Sequence, residues 1–123
     1  IVQQNLNAAL DTLVLCRFTS YALDEEHYAR LLSKATGVPF TPEDFLLLGE
    51  RVWNLERLFN LREGFTKKDD TLPRRFLEEP QVEGSTKGQV VELGQMLGEY
   101  YRFRGWDDEG RPTPRKLAQL DIR

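Results

Sequence analysis

The chain has 123 residues, room for one compact domain, and its 40% hydrophobic and 30% charged residues suffice for a core under a hydrated surface. Seventeen Lys and Arg against 20 Asp and Glu give a formal charge of −3, which argues against a surface built to neutralise phosphates, so nucleic acid is not an expected partner. No apolar run approaches the roughly 20 residues that cross a bilayer, so no membrane partner is expected, and the single Cys16 rules out an internal disulfide, as suits a reducing, cytoplasmic setting.

The chain begins at Ile1 rather than Met, which points to missing upstream residues, and its start lacks the charged-then-apolar plan of a signal peptide. No internal repeat or low-complexity tract is visible. A first helix is expected over Leu6 to Leu15, with Asn7 or Gln4 as its start, loosening at Cys16-Arg17-Phe18-Thr19-Ser20. A second is marked by Asp24 as N-cap, with Glu25 and Glu26 in the first turn, where the helix dipole favours negative charge. Tyr28, Leu31 and Leu32 form its apolar stripe, Gly37 closes it and Pro39 follows the stop.

The third helix carries the strongest start signal, with Thr41 as cap, Pro42 at the first helical position and Asp44 completing a capping box. Phe45, Leu48, Val52, Leu55 and Phe59 make one broad apolar face, and Gly64 terminates the helix. Leu46, Trp53 and Leu61 fall on the other side, among Glu50, Asn54 and Arg57. A helix apolar on both sides is either central to the fold or meets a partner with its second face.

Phe65 to Gly88 is polar and reads as a long loop, interrupted by one short helix at Arg74 to Leu77. Loops of this length tend to be functional or to lie across a neighbour. Val90 to Arg104 reads as a helix with Val91, Leu93, Met96, Leu97 and Tyr100 on its apolar side, ended by Gly105. Thr113-Pro114 opens a last short helix through Leu117 and Leu120. No segment alternates as a strand would. The expected class is all-α, an irregular, orthogonal bundle of about four to six helices with a long connecting loop, residues 1–123 forming a single helical domain.

By residue type alone, Cys16 reads first as a small buried hydrophobe. The only histidine, His27, lies on the polar side of the second helix, away from Cys16, so a Cys/His nucleophile pair is not expected. One Cys and one His cannot close a four-ligand zinc site. Glu25-Glu26, Asp69-Asp70, Glu78-Glu79 and Asp107-Asp108 are sequence neighbours, read as solvated faces, and no strand precedes a glycine-rich phosphate loop. The segment Gly49 to Gly64 is less ordinary. Arg51 and Arg62 sit at the edge of its apolar face, so their burial would require oxygen partners. Two readings stay open there: a buried polar network that fixes helix packing, or the lining of a domain interface or substrate passage.

The ordered series Gly49-Glu50-Arg51, Asn54-Leu55-Glu56-Arg57, Phe59-Asn60, Arg62-Glu63-Gly64 and Asp69-Asp70-Thr71-Leu72-Pro73-Arg74-Arg75 resembles the C-terminal domain of the tungsten-containing aldehyde ferredoxin oxidoreductase family. The resemblance continues through Glu79-Pro80, Tyr100-Tyr101, Arg104-Gly105-Trp106-Asp107, Gly110, Pro112-Thr113-Pro114 and Lys116-Leu117, so it spans nearly the whole chain. It implies a complete enzyme with a β-rich N-terminal base and two helical domains around a tungsten (or molybdenum) bis-pterin and a [4Fe–4S] cluster. Such an enzyme oxidises aldehydes to carboxylic acids and passes the electrons to ferredoxin.

In that family a C-terminal Asp-x-x-Gly-Leu-Cys pattern supplies a pterin contact and the fourth cluster cysteine. Asp11-Thr12-Leu13-Val14-Leu15-Cys16 matches it at Asp11, Leu15 and Cys16. By this resemblance Cys16 becomes a cluster ligand, Asp11 a pterin contact and Leu15 part of the cofactor-binding pattern. The departure is Val14, where the family pattern has glycine. The other three cluster cysteines and the β-rich base are absent from these residues, so the chain alone is expected to be inactive and to carry no cofactor. Its expected partners are the N-terminal and middle domains of the same enzyme, and the alternative is a cofactor-free helical interaction module. A surface meant for other domains also implies self-association of the isolated chain.

Overall fold

A computed structural model describes residues 1–123 as six α-helices and two 3₁₀ turns, with no strand beyond one isolated bridge between Trp106 and Pro112. The expected all-α class holds. The helices are α1 (Val2–Thr12), α2 (Glu25–Thr36), α3 (Pro42–Arg62), α4 (Arg74–Glu78), α5 (Leu93–Arg104) and α6 (Pro114–Gln119), with the 3₁₀ turns at Arg17–Tyr21 and Lys67–Asp69.

Capping residues place most boundaries. Asp24 accepts hydrogen bonds from the N–H groups of Glu26 and His27, and Gly37 closes α2 in the left-handed region. Thr41 and Asp44 exchange side-chain-to-backbone bonds in the expected capping box of α3. Thr66 and Asp69 build a second such box, unforeseen, inside the long loop. Two helices differ from expectation. α1 runs from Val2 to Thr12 rather than from Leu6 to Leu15, and it ends early because the backbone turns left-handed at Val14. α5 begins at Leu93 rather than Val90, because the backbone at Glu92 leaves the helical region with ψ at 63°, and the Val91 N–H donates to the carbonyl of Phe76.

The apolar core is small. Leu6, Ala9 and Leu10 of α1, Tyr28 and Ala29 of α2, and Phe45 of α3 bury one another, with Tyr28 and Phe45 stacked at 5.8 Å. Burial of a large apolar side chain of this kind contributes about 1.5–3 kcal/mol. Helices α1 and α3 touch backbone to backbone: a Cβ added at Gly49 would lie 1.8 Å from the Asn5 carbonyl oxygen. The expected apolar stripes are buried only in part. Leu31 of α2 and Leu55 and Phe59 of α3 are exposed.

The second face of α3 is covered by polar and aromatic side chains rather than aliphatic ones. Arg104 of α5 is fully buried and donates to Asn5 Oδ1 at 2.6 Å, Gln4 Oε1 at 2.7 Å and Tyr100 Oη at 3.1 Å. Its guanidinium also lies 5.4 Å from the ring centroids of both Trp53 and Tyr100, so aromatic faces and neutral oxygens share its charge. Tyr100 in turn accepts from Trp53 Nε1 at 2.7 Å and donates to Gln4. Trp106 Nε1 donates to Asn54 Oδ1 at 2.8 Å, and Lys116 pairs with Glu50 at 2.8 Å. The C-terminal half is therefore tied to α1 and α3 by directional bonds. No buried side-chain polar atom lacks a partner.

Candidate functional site

The three residues singled out by motif, Asp11, Leu15 and Cys16, lie at and just beyond the end of α1, and all three are exposed. Burial of Cys16 as a small hydrophobe is therefore not what the fold does with it: the thiol is free and faces outward. The turn that presents it is closed by Leu13 N–H on Leu10 O at 3.0 Å and Val14 N–H on Asp11 O at 3.1 Å. Val14 takes φ = +57°, a region where a β-branched side chain is strained, and its side chain stands 92% exposed. Glycine suits this position because of backbone conformation, which gives the family pattern a local physical reason.

Cys16 is the N-cap of the 3₁₀ turn Arg17–Tyr21, and its carbonyl accepts two bonds from Thr19, from N–H at 3.0 Å and from Oγ1 at 2.7 Å. Phe18 and Tyr21 stack on each other at 6.0 Å, exposed by 73% and 86%. An apolar, aromatic surface thus adjoins the thiol. No three His, Cys, Asp or Glu side chains of the chain converge as a metal site would need. An exposed thiol of this kind can give a cluster iron one thiolate, and the remaining ligands would have to come from outside these residues.

A second constellation is built around Arg57 of α3. Arg57 donates to both oxygens of Asp70, at 2.7 and 2.6 Å, and its Nε donates to Gly110 O at 2.8 Å. The guanidinium stacks 5.1 Å from the Trp106 ring centroid, and Tyr101 donates its hydroxyl to the same Asp70 carboxylate. Burial and the Asp70 carboxylate push the Tyr101 phenol up to about 12. Gly110 is required twice, by its φ of +72° and because a Cβ there would meet Arg57 Nη2 at 2.4 Å. A cavity of about 450 Å³ adjoins this group, lined among others by Trp53, Asn60, Leu72, Leu97 and Tyr100.

The expected polar network exists, but its buried arginines are Arg57 and Arg104 rather than Arg51 and Arg62. Arg51 reaches the Leu120 carbonyl at 2.8 Å from an exposed position, and Arg62 pairs with Glu63 on the surface. Asn54 donates to the Glu50 carbonyl one turn earlier. A helical wheel ranks Arg57 as outward because it sees only α3. The partners that bury it lie 13 and 53 residues away, and only the motif series hinted at it. His27 is exposed and pairs with Asp24 at 2.7 Å, a bond that holds the Asp24 carboxyl below its usual range.

The fold and the exposed cysteine turn define a helical module that offers one thiol outward, and comparison with known proteins assigns its class: the chain belongs to the aldehyde ferredoxin oxidoreductase family. The family model described as aldehyde ferredoxin oxidoreductase, domains 2 and 3, matches residues 1–122. The chain is similar to the tungsten-containing aldehyde ferredoxin oxidoreductase of Pyrococcus furiosus, 50% identical over 123 residues, a match covering 99% of this chain and 20% of that protein. The Thermococcus kodakarensis protein of the same name is 49% identical with the same coverage. The chain thus spans about a fifth of the length of these relatives. Among solved structures, the BamBC active-site complex of benzoyl-coenzyme A reductase superposes with a TM-score of 0.64 at 23% identity, over 80% of this chain and 14% of that one. That likeness concerns the fold alone.

Proposed function

We propose that residues 1–123 form a single C-terminal helical domain of a cytoplasmic aldehyde-oxidising enzyme, in which Cys16 donates one thiolate to a [4Fe–4S] cluster and Asp11 holds a pterin. The observation that carries this reading is the exposure of Asp11, Leu15 and Cys16 on one turn, with no metal site completed by the chain's own side chains. An ionised Asp11 can accept hydrogen bonds from the N–H groups of a pterin, and Leu15 brings an apolar wall to the same turn. When bound, the tungsten (or molybdenum) bis-pterin supplies the oxidation of an aldehyde to its acid, and the cluster passes the electrons towards ferredoxin. The exposed aromatic pair Phe18 and Tyr21 excludes water from the surface beside Cys16 once the other domains of the enzyme cover it.

The test is iron and tungsten analysis with electron paramagnetic resonance on the anaerobically purified full-length protein, wild type beside Cys16→Ser and Asp11→Asn. Wild type holding about four irons, with loss of the cluster signal in Cys16→Ser, supports the reading. A metal-free wild type favours the second reading, a cofactor-free helical interaction module, which the strained Val14 in the middle of the motif motivates.

A further inference from the structure

Cys16 hangs from the hydrophobic core by a chain of two hydroxyl groups. Thr19 Oγ1 lies 2.7 Å from the Cys16 carbonyl oxygen and 2.7 Å from the Tyr28 hydroxyl oxygen. A threonine hydroxyl has a single proton and a carbonyl can only accept, so that proton belongs to the bond with Cys16. Tyr28 must therefore be the donor to Thr19. The order is fixed: Tyr28 donates to Thr19, and Thr19 donates to the Cys16 carbonyl.

The two ends of this relay differ in mobility for a physical reason. Tyr28 is fully buried, stacked on Phe45 and packed among Leu6, Ala9 and Leu10. Cys16 and Thr19 are exposed on a five-residue 3₁₀ turn, a structure with poor hydrogen-bond geometry of its own. Apart from this relay, the backbone bonds of the segment are local: Thr19 N–H donates to the Cys16 carbonyl, and the Thr19 carbonyl accepts from Ala22 and from Leu23, which packs on the core. Ser20 adds only a local bond to the Arg17 carbonyl.

We propose that Tyr28 and Thr19 are positioning residues for Cys16, a relay that transmits the rigidity of the core to the cluster-ligating thiolate. This rests on the reading of Cys16 as a cluster ligand. Side-chain ligands serve a metal only when their supporting bonds hold them in register, and loss of such support shifts the properties of the site without removing the ligand.

The test uses the full-length enzyme, purified anaerobically, with four variants: Tyr28→Phe, Thr19→Val, Thr19→Ser and Cys16→Ser. The readouts are iron content, the resonance line shape of the reduced cluster and its midpoint potential. Tyr28→Phe and Thr19→Val are expected to broaden the signal and shift the potential, while Thr19→Ser, which keeps the hydroxyl, restores both. Leu32→Ala serves as a control that weakens the same core without touching the relay, and it is expected to leave potential and line shape unchanged. Loss of iron in Cys16→Ser together with wild-type spectra in Tyr28→Phe and Thr19→Val overturns the relay alone. An unaltered cluster in Cys16→Ser overturns the ligand reading, and the relay with it. Should Tyr28→Phe fail to fold, the exposed Thr19 pair of variants decides the question unaided.

Discussion

The guanidinium of Arg57 and the carboxylate of Asp70 face each other through two parallel hydrogen bonds, Nη1 to Oδ1 at 2.7 Å and Nη2 to Oδ2 at 2.6 Å. Arg57 is 8% exposed and Asp70 22%, so the pair is sheltered without being fully dry. It ties the long loop to α3, and through Gly110 and Trp106 it also fixes the C-terminal turn. Asp70→Asn would leave the buried guanidinium without its counter-charge. The expected cost is about 3 kcal/mol, read as a lower urea midpoint at neutral pH. A loss below about 0.5 kcal/mol would show that solvent already screens the pair.

Tyr101 shares the Asp70 carboxylate and so responds to pH in a defined direction. Its folded pKa is raised from 10 to about 12. Between those values the folded protein binds a proton that the unfolded chain has released, so this contribution is present below pH 10 and disappears as pH climbs to about 12. Phenolate absorbance should therefore show a late step in the wild type that Tyr101→Phe lacks. Tyrosine titrating all at once near its ordinary value would refute the assignment.

Val14 offers a stabilising substitution. A β-branched residue held at φ = +57° costs about 1–3 kcal/mol, and glycine removes that strain while losing more entropy on folding. Val14→Gly is expected to gain about 1 kcal/mol net and to raise the midpoint of thermal unfolding. Unchanged or lower stability would mean that neighbouring contacts relax the backbone at Val14.

Gly49 has no such latitude. Its missing Cβ is what lets α3 approach the Asn5 carbonyl, and Gly49→Ala places a methyl 1.8 Å from that oxygen. Helices α1 and α3 must then separate, with an expected loss of about 3 kcal/mol and a broadened amide spectrum. A folded variant of wild-type stability would show that α1 can slide along α3.

The Tyr28–Thr19 bond predicts an order of stabilities. Tyr28→Phe removes the buried hydroxyl together with its need for a partner and costs about 1 kcal/mol. Thr19→Val leaves that hydroxyl buried with nothing to receive its proton, and costs up to about 3 kcal/mol although Thr19 itself is exposed. Chemical unfolding of the two variants in parallel is the measurement, and the reverse order would mean that water reaches Tyr28.

Much of this protein is decided by short-range chemistry that its sequence displays directly. Asp24, Thr41 with Asp44, Gly37 and Gly105 mark the ends of helices because each satisfies or terminates a backbone pattern within four residues of itself. The series of motifs from Gly49 to Leu117 likewise carried family membership. Tertiary structure decided what depends on distant partners. It buried Arg57 and Arg104 instead of Arg51 and Arg62, because the oxygens that stabilise a guanidinium away from water come from as far as 100 residues along the chain. It exposed Cys16 and hung its carbonyl from Tyr28, through a bond that crosses from the 3₁₀ turn to α2. A helical wheel contains one helix, whereas burial is a property of everything packed around it.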